Sequence, residues 1–309
     1  MINKIVAVQG NHPSKLNPIS DTSIFLANEI QNKNYKIFYY DPKDLSVINS
    51  KVIASGFFIK FNYLKKKFFK ILNKQTLDLT KCKYILIRQD PPFNLEYISS
   101  TYILDTIKDK IKIVNNPSSI RNVSEKLYSA RYQKYMPSTI FTQKIIEIKN
   151  FFKKYKRVIV KPIYSFGGND VHLLSRFDLK LINKLIKKHD YIMCQKYLPK
   201  IYKGDKRVFL INGKVCGAIS RIPKNGSFLS NMSKGAKPIN IKLTKKESRI
   251  SKLIAKDLKK ENIYFAGIDF IDEKLNGDIN VTSPTGLKTF YDLSNINLAD
   301  YFWKGLRAW

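Results

Sequence analysis

Phe265-Ala266-Gly267-Ile268-Asp269-Phe270-Ile271, followed by Asn276-Gly277-Asp278-Ile279-Asn280-Val281-Thr282-Ser283-Pro284-Thr285-Gly286, is the stretch on which the fold turns. Asn-Gly between two strand-like runs is a strong short-range hairpin signal, so an antiparallel pair is expected with its turn at Asn276-Gly277. Asp278 and Asn280 are two residues apart on one strand and leave it from the same face. Asp269 then lies on the neighbouring strand within reach of both. Three hard oxygen donors on a rigid platform suit Mg²⁺, which keeps waters and completes its shell with substrate phosphates. By themselves the three residues fit a solvent-facing edge hairpin equally well.

Upstream of this stretch the strand signals continue. Residues 208–211 and 215–219 flank Asn212-Gly213, a second hairpin, and a helix is expected near 246–259. Residues 158–160 and 191–194 read as strands around a glycine-containing loop and a basic helix at 179–188. Before about residue 122 the pattern is different. Strands at 5–8, 36–40, 84–87 and 111–114 alternate with a helix capped by Asp21 or Thr22 and another around 102–107. That alternation implies a parallel sheet with helices on its faces.

A chain of 309 residues is long for one compact domain, and two or three units are expected. A hydrophobic share of 44% with 13% aromatics excludes a disordered protein. No apolar run reaches the ~18–20 residues that cross a bilayer. The opening Met1-Ile2-Asn3-Lys4-Ile5-Val6-Ala7-Val8 has too short an apolar segment for a signal peptide. Cys82, Cys194 and Cys216 are an odd, scattered set that fits neither a disulfide framework nor a zinc site, so a cytoplasmic location is expected. The formal charge of +32 would attract polyanions. The cations are mostly Lys and spread along the chain, whereas a duplex reader is expected to use more Arg. Compositional drift is therefore favoured, and no specific nucleic acid is expected.

Two more constellations could carry chemistry. Lys161 ends a buried strand, and Gly167-Gly168 follows, where backbone N–H groups could approach phosphates. A Gly-Gly pair alone is more often a turn. Arg207, opening a strand after Gly204-Asp205-Lys206, could clamp a phosphate or oxyanion. Lys126 reads locally as an ordinary helix lysine. His12, His172 and His189 lie in unrelated contexts, and neither a GxSxG nor a Cys–His arrangement occurs, so no nucleophilic catalysis is signalled.

These pieces occur together and in order, and with them the chain resembles the bacterial glutathione synthetases of the ATP-grasp superfamily. The likeness is carried by Arg88-Gln89-Asp90-Pro91-Pro92-Phe93, Val114-Asn115-Asn116-Pro117, Glu125-Lys126-Leu127 and Val160-Lys161-Pro162. It continues through Gln195-Lys196-Tyr197-Leu198-Pro199, Gly204-Asp205-Lys206-Arg207-Val208, Arg221-Ile222-Pro223 and the segment Asp278 to Gly286. The resemblance implies an α/β ATP-grasp fold. An N-terminal Rossmann-like parallel-sheet domain would span 1–122, a small central or lid unit 123–197, and a C-terminal mixed or antiparallel sheet 198–309. It further implies an enzyme that joins γ-glutamylcysteine to glycine with ATP and Mg²⁺, with Mn²⁺ as the other ion, as a homo-oligomer. A ligase for another dipeptide or amino-acid pair, and a non-catalytic nucleotide or nucleic-acid binder, are the alternatives.

By position, the resemblance gives Lys126, Lys161, Gly167 and Gly168 to the ATP phosphates. It gives Gln195, Lys196, Tyr197 and Leu198 to the adenine hinge, with Asp205 after it. Asp269, Asp278 and Asn280 become metal ligands. Arg207 becomes the catalytic cation beside the acyl phosphate. Arg88, Asp90, Ser283, Pro284, Thr285 and Gly286 border the dipeptide. The chain departs from the family pattern at Asp278, where Glu is usual, and at Tyr164-Ser165, where an acidic residue and a glycine are usual. A family Arg is replaced by Leu229, the lid segment is thinned to Asn231-Met232-Ser233-Lys234-Gly235, and Leu287-Lys288-Thr289 lacks an expected Glu.

Overall fold

A computed structural model describes residues 4–309; Met1, Ile2 and Asn3 of the chain's opening lie outside the described residues. The first part runs β1 (Ile5–Gln9), α1 (Thr22–Gln31), β2 (Lys36–Tyr40), β3 (Leu45–Ile48), β4 (Lys51–Phe61) and β5 (Phe69–Asp78). It continues with β6 (Tyr84–Ile87), α2 (Leu95–Asp105), β7 (Lys112–Val114) and α3 (Pro117–Asn122). β2, β1, β6 and β7 lie side by side in that order and are parallel, as the strand–helix alternation predicts. The sheet is nevertheless mixed: β4 joins β2 antiparallel and carries β3 and β5. Asp21 caps α1 by accepting from the Ile24 N–H at 2.8 Å. Asn94 caps α2 through the Tyr97 N–H, so that helix starts well before the expected 102–107.

The second part is an antiparallel sheet with strand order β10-β9-β11-β8. Its elements are β8 (Thr139–Thr142), α4 (Ile145–Tyr155), β9 (Val158–Pro162), β10 (His172–Leu174), α5 (Leu179–His189) and β11 (Ile192–Lys196). Ile148 of α4 and Ile182 and Leu185 of α5 pack on Val158, Val160 and Ile192.

The third part is an antiparallel sheet ordered β14-β13-β12-β15-β16. Its strands are β12 (Asp205–Ile211), β13 (Lys214–Ile222), β14 (Lys237–Asn240), β15 (Phe265–Ile271) and β16 (Lys274–Asn280). Between β14 and β15 comes α6 (Lys245–Lys260), opened by a reciprocal Thr244–Glu247 capping box. Its Ile250, Ile254, Ala255 and Leu258 cover Val208, Leu210 and Phe270 of the sheet. The last helices, α7 (Leu287–Ser294) and α8 (Leu298–Ala308), return to the first part. Phe302, Trp303 and Leu306 share a core with Val6, Val8, Ile24 and Leu26, and the Trp303 indole donates to Leu26 O at 2.8 Å.

One expected turn moves. The β15–β16 hairpin turns at Asp272-Glu273, both at positive φ (47° and 59°), with Ile271 paired to Lys274. Asn276-Gly277 lies inside β16 instead. Phe270 pairs with Leu275 and Ile268 with Ile279, so Asn276, Gly277 and Asp278 bulge opposite Asp269. Gly277 sits at φ 86°, and a Cβ there would meet Met193 Cε at 2.4 Å. The glycine therefore serves a bulge and a close approach between sheets, not a turn. A bulge re-aims the side chains around it, which brings Asp278 round to the side of Asp269.

Asn115, at the exit of β7, fixes the first sheet to the third. Its amide donates to Phe265 O at 2.7 Å and Val281 O at 2.6 Å, and accepts from the N–H groups of Tyr264 and Phe265. The chain leaving β16 is thereby laid across the carboxyl ends of the parallel strands, where ligand sites of such sheets form.

Candidate active site

Between the second and third sheets lies a cleft open to solvent. All the residues nominated from the sequence for phosphates, adenine hinge and metal line it: Lys126, Lys161, Gly167, Gly168, Gln195 to Leu198, Asp205, Arg207, Asp269, Asp278 and Asn280. Arg88, Asp90 and Ser283 to Gly286 are absent from its wall. They form a second cluster at the carboxyl end of the first sheet.

One wall carries lysines. Lys161, buried at the end of β9, donates to Asn276 O at 2.8 Å and lies 3.3 Å from Asp278 Oδ2. Lys126 does not sit on a helix surface. It precedes the 3₁₀ segment Leu127–Tyr135, is 5% exposed, donates to Ser165 O at 2.6 Å and lies 3.5 Å from Asp278 Oδ1. Burial would raise the Asp278 pKa, but Lys161 first and Lys126 second hold its carboxyl below the ordinary carboxylate range. Gly167 and Gly168 turn at φ 63° and 77°. At the hinge, Lys196 N–H donates to Ser138 O and Tyr197 N–H to Arg157 O, while the Gln195 amide donates to Thr139 Oγ1.

The opposite wall is a buried ion-pair chain. Arg207 binds Asp269 through Nε (2.5 Å) and Nη2 (2.8 Å). Arg221 binds Asp205 at 2.8 and 2.5 Å and reaches Asp269 at 3.1 Å. Burial opposes the Asp269 charge, yet the two guanidiniums hold its carboxyl well below the usual range. Asn280 donates from its amide nitrogen to Gly267 O at 3.1 Å, leaving its oxygen as an acceptor. Arg221 was not among the nominated site residues. Counting outward from Asn212-Gly213 pairs Asp205 with Ser220, but a bulge between Phe209 and Leu210 shifts the register so that Asp205 faces Arg221. Glu125 was missed as well. Its carboxylate accepts from Val281 N, Thr282 N and Thr282 Oγ1, locking the end of β16 beside Lys126.

The second cluster touches the first through the 283–286 loop. Arg88 donates to Ser23 Oγ at 2.9 Å and to Pro284 O at 3.1 Å, while Arg207 Nη1 reaches Thr285 O at 3.5 Å. Ser283 donates to Gln89 O, and Gly286 N–H donates to Thr22 Oγ1. Asp90 accepts from Asn11, and burial raises its pKa against the pull of Arg88. Asp21 is raised in the same way. One loop thus borders both an ionic cleft and the cluster around buried Arg88.

Among the described residues no cluster of three His, Cys, Asp or Glu side chains could hold a metal. The nominated ligands in the cleft wall are two carboxylates, Asp269 and Asp278, and the amide oxygen of Asn280, and no described His, Cys or Met lines the cleft. That set fits a hard ion that takes the rest of its shell from water and phosphate.

Comparison with known proteins agrees over the whole length. Residues 5–121 match the family model for the prokaryotic glutathione synthetase N-terminal domain, and 125–295 that for its ATP-grasp domain. The glutathione synthetase of Agrobacterium fabrum is 34% identical over 309 residues, covering 98% of this chain and 96% of that protein. That of Mesorhizobium japonicum is 35% identical over 308 residues, covering 98% of each. Among solved structures, the ATP-grasp ligase PsnB with a phosphomimetic precursor variant, Mg and ADP superimposes with a TM-score of 0.66 at 12% identity. It covers 99% of this chain and 98% of that one. That likeness shows an ATP-grasp α/β fold.

Proposed function

The chain belongs to the prokaryotic glutathione synthetase family, and on that premise we propose how its residues serve the reaction. It is an ATP-dependent ligase of glutathione synthesis, acting on small molecules and using a divalent ion. We assign γ-glutamylcysteine and glycine as substrates and Mg²⁺ as the ion, with Mn²⁺ as a substitute.

The observation that carries the site reading is the ion pairing at the cleft. Lys126, Lys161, Arg207 and Arg221 face Asp205, Asp269 and Asp278, so the cations outnumber the carboxylates. ATP phosphates arriving between Lys126 and Lys161 would free Asp278 for a metal ion. Asp269, Asp278 and Asn280 would hold that ion, which supplies positive charge against the phosphates. The Gly167-Gly168 turn closes over them. Adenine lies at the hinge, where committed Lys196 and Tyr197 N–H groups leave that of Leu198 as donor.

Chemistry follows from position. The γ-phosphoryl group passes to the cysteine carboxylate of a dipeptide bordered by Arg88, Asp90 and the 283–286 loop, giving ADP and an acyl phosphate. The glycine amine then attacks the carbonyl carbon; the C–N bond forms, the C–O bond to phosphate breaks, and the amine gives up a proton. Arg207 stabilises the oxyanion that develops between these events, and preorganised charge of this kind is the main source of acceleration. No protein nucleophile is needed. Residues 1–122, 123–197 and 198–309 would act as substrate, lid and catalytic units. A homo-oligomer in the cytoplasm belongs to the same reading. No helix among the described residues is long and apolar enough to cross a membrane.

Asn280→Ala tests the metal assignment. The Mg²⁺ concentration for half-maximal turnover should rise at least about tenfold. An unchanged Mg²⁺ requirement in a folded variant removes Asn280 from the ion's shell.

A further inference from the structure

The segment 163–171 that carries Gly167 and Gly168 has little of its own to hold it in shape. Gly167, Gly168 and Asp170 all have positive φ, at 63°, 77° and 54°. Its one internal backbone bond is Asn169 N–H to Phe166 O at 3.1 Å, while its start is tied by Ser165 N–H to Pro162 O and Ile163 N–H to Tyr191 O, each at 3.4 Å. Such a turn is fastened from outside or it wanders. One tie is Lys126 to Ser165 O, inside the cleft, and another is Lys234 Nζ to Asn169 Oδ1 at 3.3 Å. The remaining charged tie lies outside the cleft wall. Asp170 Oδ2 accepts from Lys188 Nζ and His189 Nε2, each at 2.8 Å. Lys188 and His189 close the last turn of α5, where the helix dipole favours cations and α5 is itself fixed by its buried Ile182 and Leu185. Lys188 and His189 hold the Asp170 carboxyl below the ordinary range.

We propose that Asp170 is a positioning residue for nucleotide binding, its carboxylate tying the Gly167-Gly168 turn to the C-terminal end of α5. The proposal rests on the reading that this turn meets the ATP phosphates. Asp tolerates the left-handed conformation better than most residues, so one side chain satisfies both the backbone and the anchor. None of the three anchoring residues lines the cleft. Their effect is confined to where the turn's N–H groups stand.

The test separates ATP binding from everything else. Asp170→Asn keeps the left-handed backbone and an acceptor oxygen while removing the charge, and Asp170→Ala removes the acceptor as well. The KM for ATP should rise about two- to fivefold in Asp170→Asn and more in Asp170→Ala, as loss of a partly exposed ion pair allows. The kcat and the KM for glycine should stay unchanged. Lys188→Met combined with His189→Gln should reproduce the effect, and adding Asp170→Ala to that pair should add little, because the partners share one interaction. An unchanged ATP KM in Asp170→Ala, or full additivity in the triple variant, overturns the proposal. Lys161→Ala serves as the control. If it raises the ATP KM and Asp170→Ala does not, the anchor alone falls. If neither does, the phosphate reading of this wall falls with it.

Discussion

At the scale of single residues, the site is a set of charges that sequence position alone does not reveal. Lys126 is the clearest case. Its neighbours Glu125 and Leu127 carry no local signal of a binding site, and only the likeness to a family nominated it. Its 5% exposure beside Asp278 is produced by contacts from segments far along the chain. Arg221 went unassigned for a definite reason, the one-residue bulge that changes its cross-strand partner from the one hairpin counting gives. That arginine makes a prediction. Arg221→Met would leave the buried Asp205 carboxylate without a cation, and removing one partner of a buried pair costs about 3–5 kcal/mol. Urea unfolding followed by tryptophan fluorescence measures it. A loss under about 1 kcal/mol would mean that Asp205 is satisfied without Arg221.

At the scale of elements, strands with a buried face or a strong turn were legible, and those without were not. β1, β2, β6 and the β12–β13 hairpin lie where apolar runs and Asn212-Gly213 put them. The antiparallel extension at 45–78 escaped notice because β5 exposes most of its positions, so its side chains show no period to read. The β15–β16 hairpin was recognised, but its turn was misplaced. Asp272-Glu273 adopts the left-handed pair of a tight turn without the glycine that usually marks one. Gly277, the apparent turn residue, is held between Met193 and Met136. Gly277→Ala should therefore destabilise by about 1–3 kcal/mol, through strain at φ 86° and the clash with Met193. Replacing Asp272-Glu273 by Asn-Gly should be neutral or stabilising by about 1 kcal/mol. Thermal unfolding of the two variants decides between the turn positions. Destabilisation in the second without the first would contradict the bulge.

At the scale of the molecule, three sheets meet around the cleft and the adjoining Arg88 cluster, and long-range contacts hold them there. Trp303 docks on α1 from the far end of the sequence, and Asn115 pins the exit of β16 to the first sheet. Neither contact could be read from local pattern, because the partners are hundreds of positions apart or joined by a side chain inside a loop. The excess of 56 Lys and Arg over 24 Asp and Glu leaves most surface lysines unpaired, while the cleft itself is closely balanced. The positive field would favour approach of an anionic nucleotide. The central claim is that this cleft and the Arg88 cluster beside it carry one ligation through an acyl phosphate. Phosphate release from ATP, measured with purified protein, Mg²⁺, γ-glutamylcysteine and glycine and with each component left out in turn, tests that claim most directly. The account predicts release at full rate only with all of them present, with glutathione identified by mass in equal amount. Release that continues unchanged without glycine, or complete mixtures that release no phosphate, would contradict it.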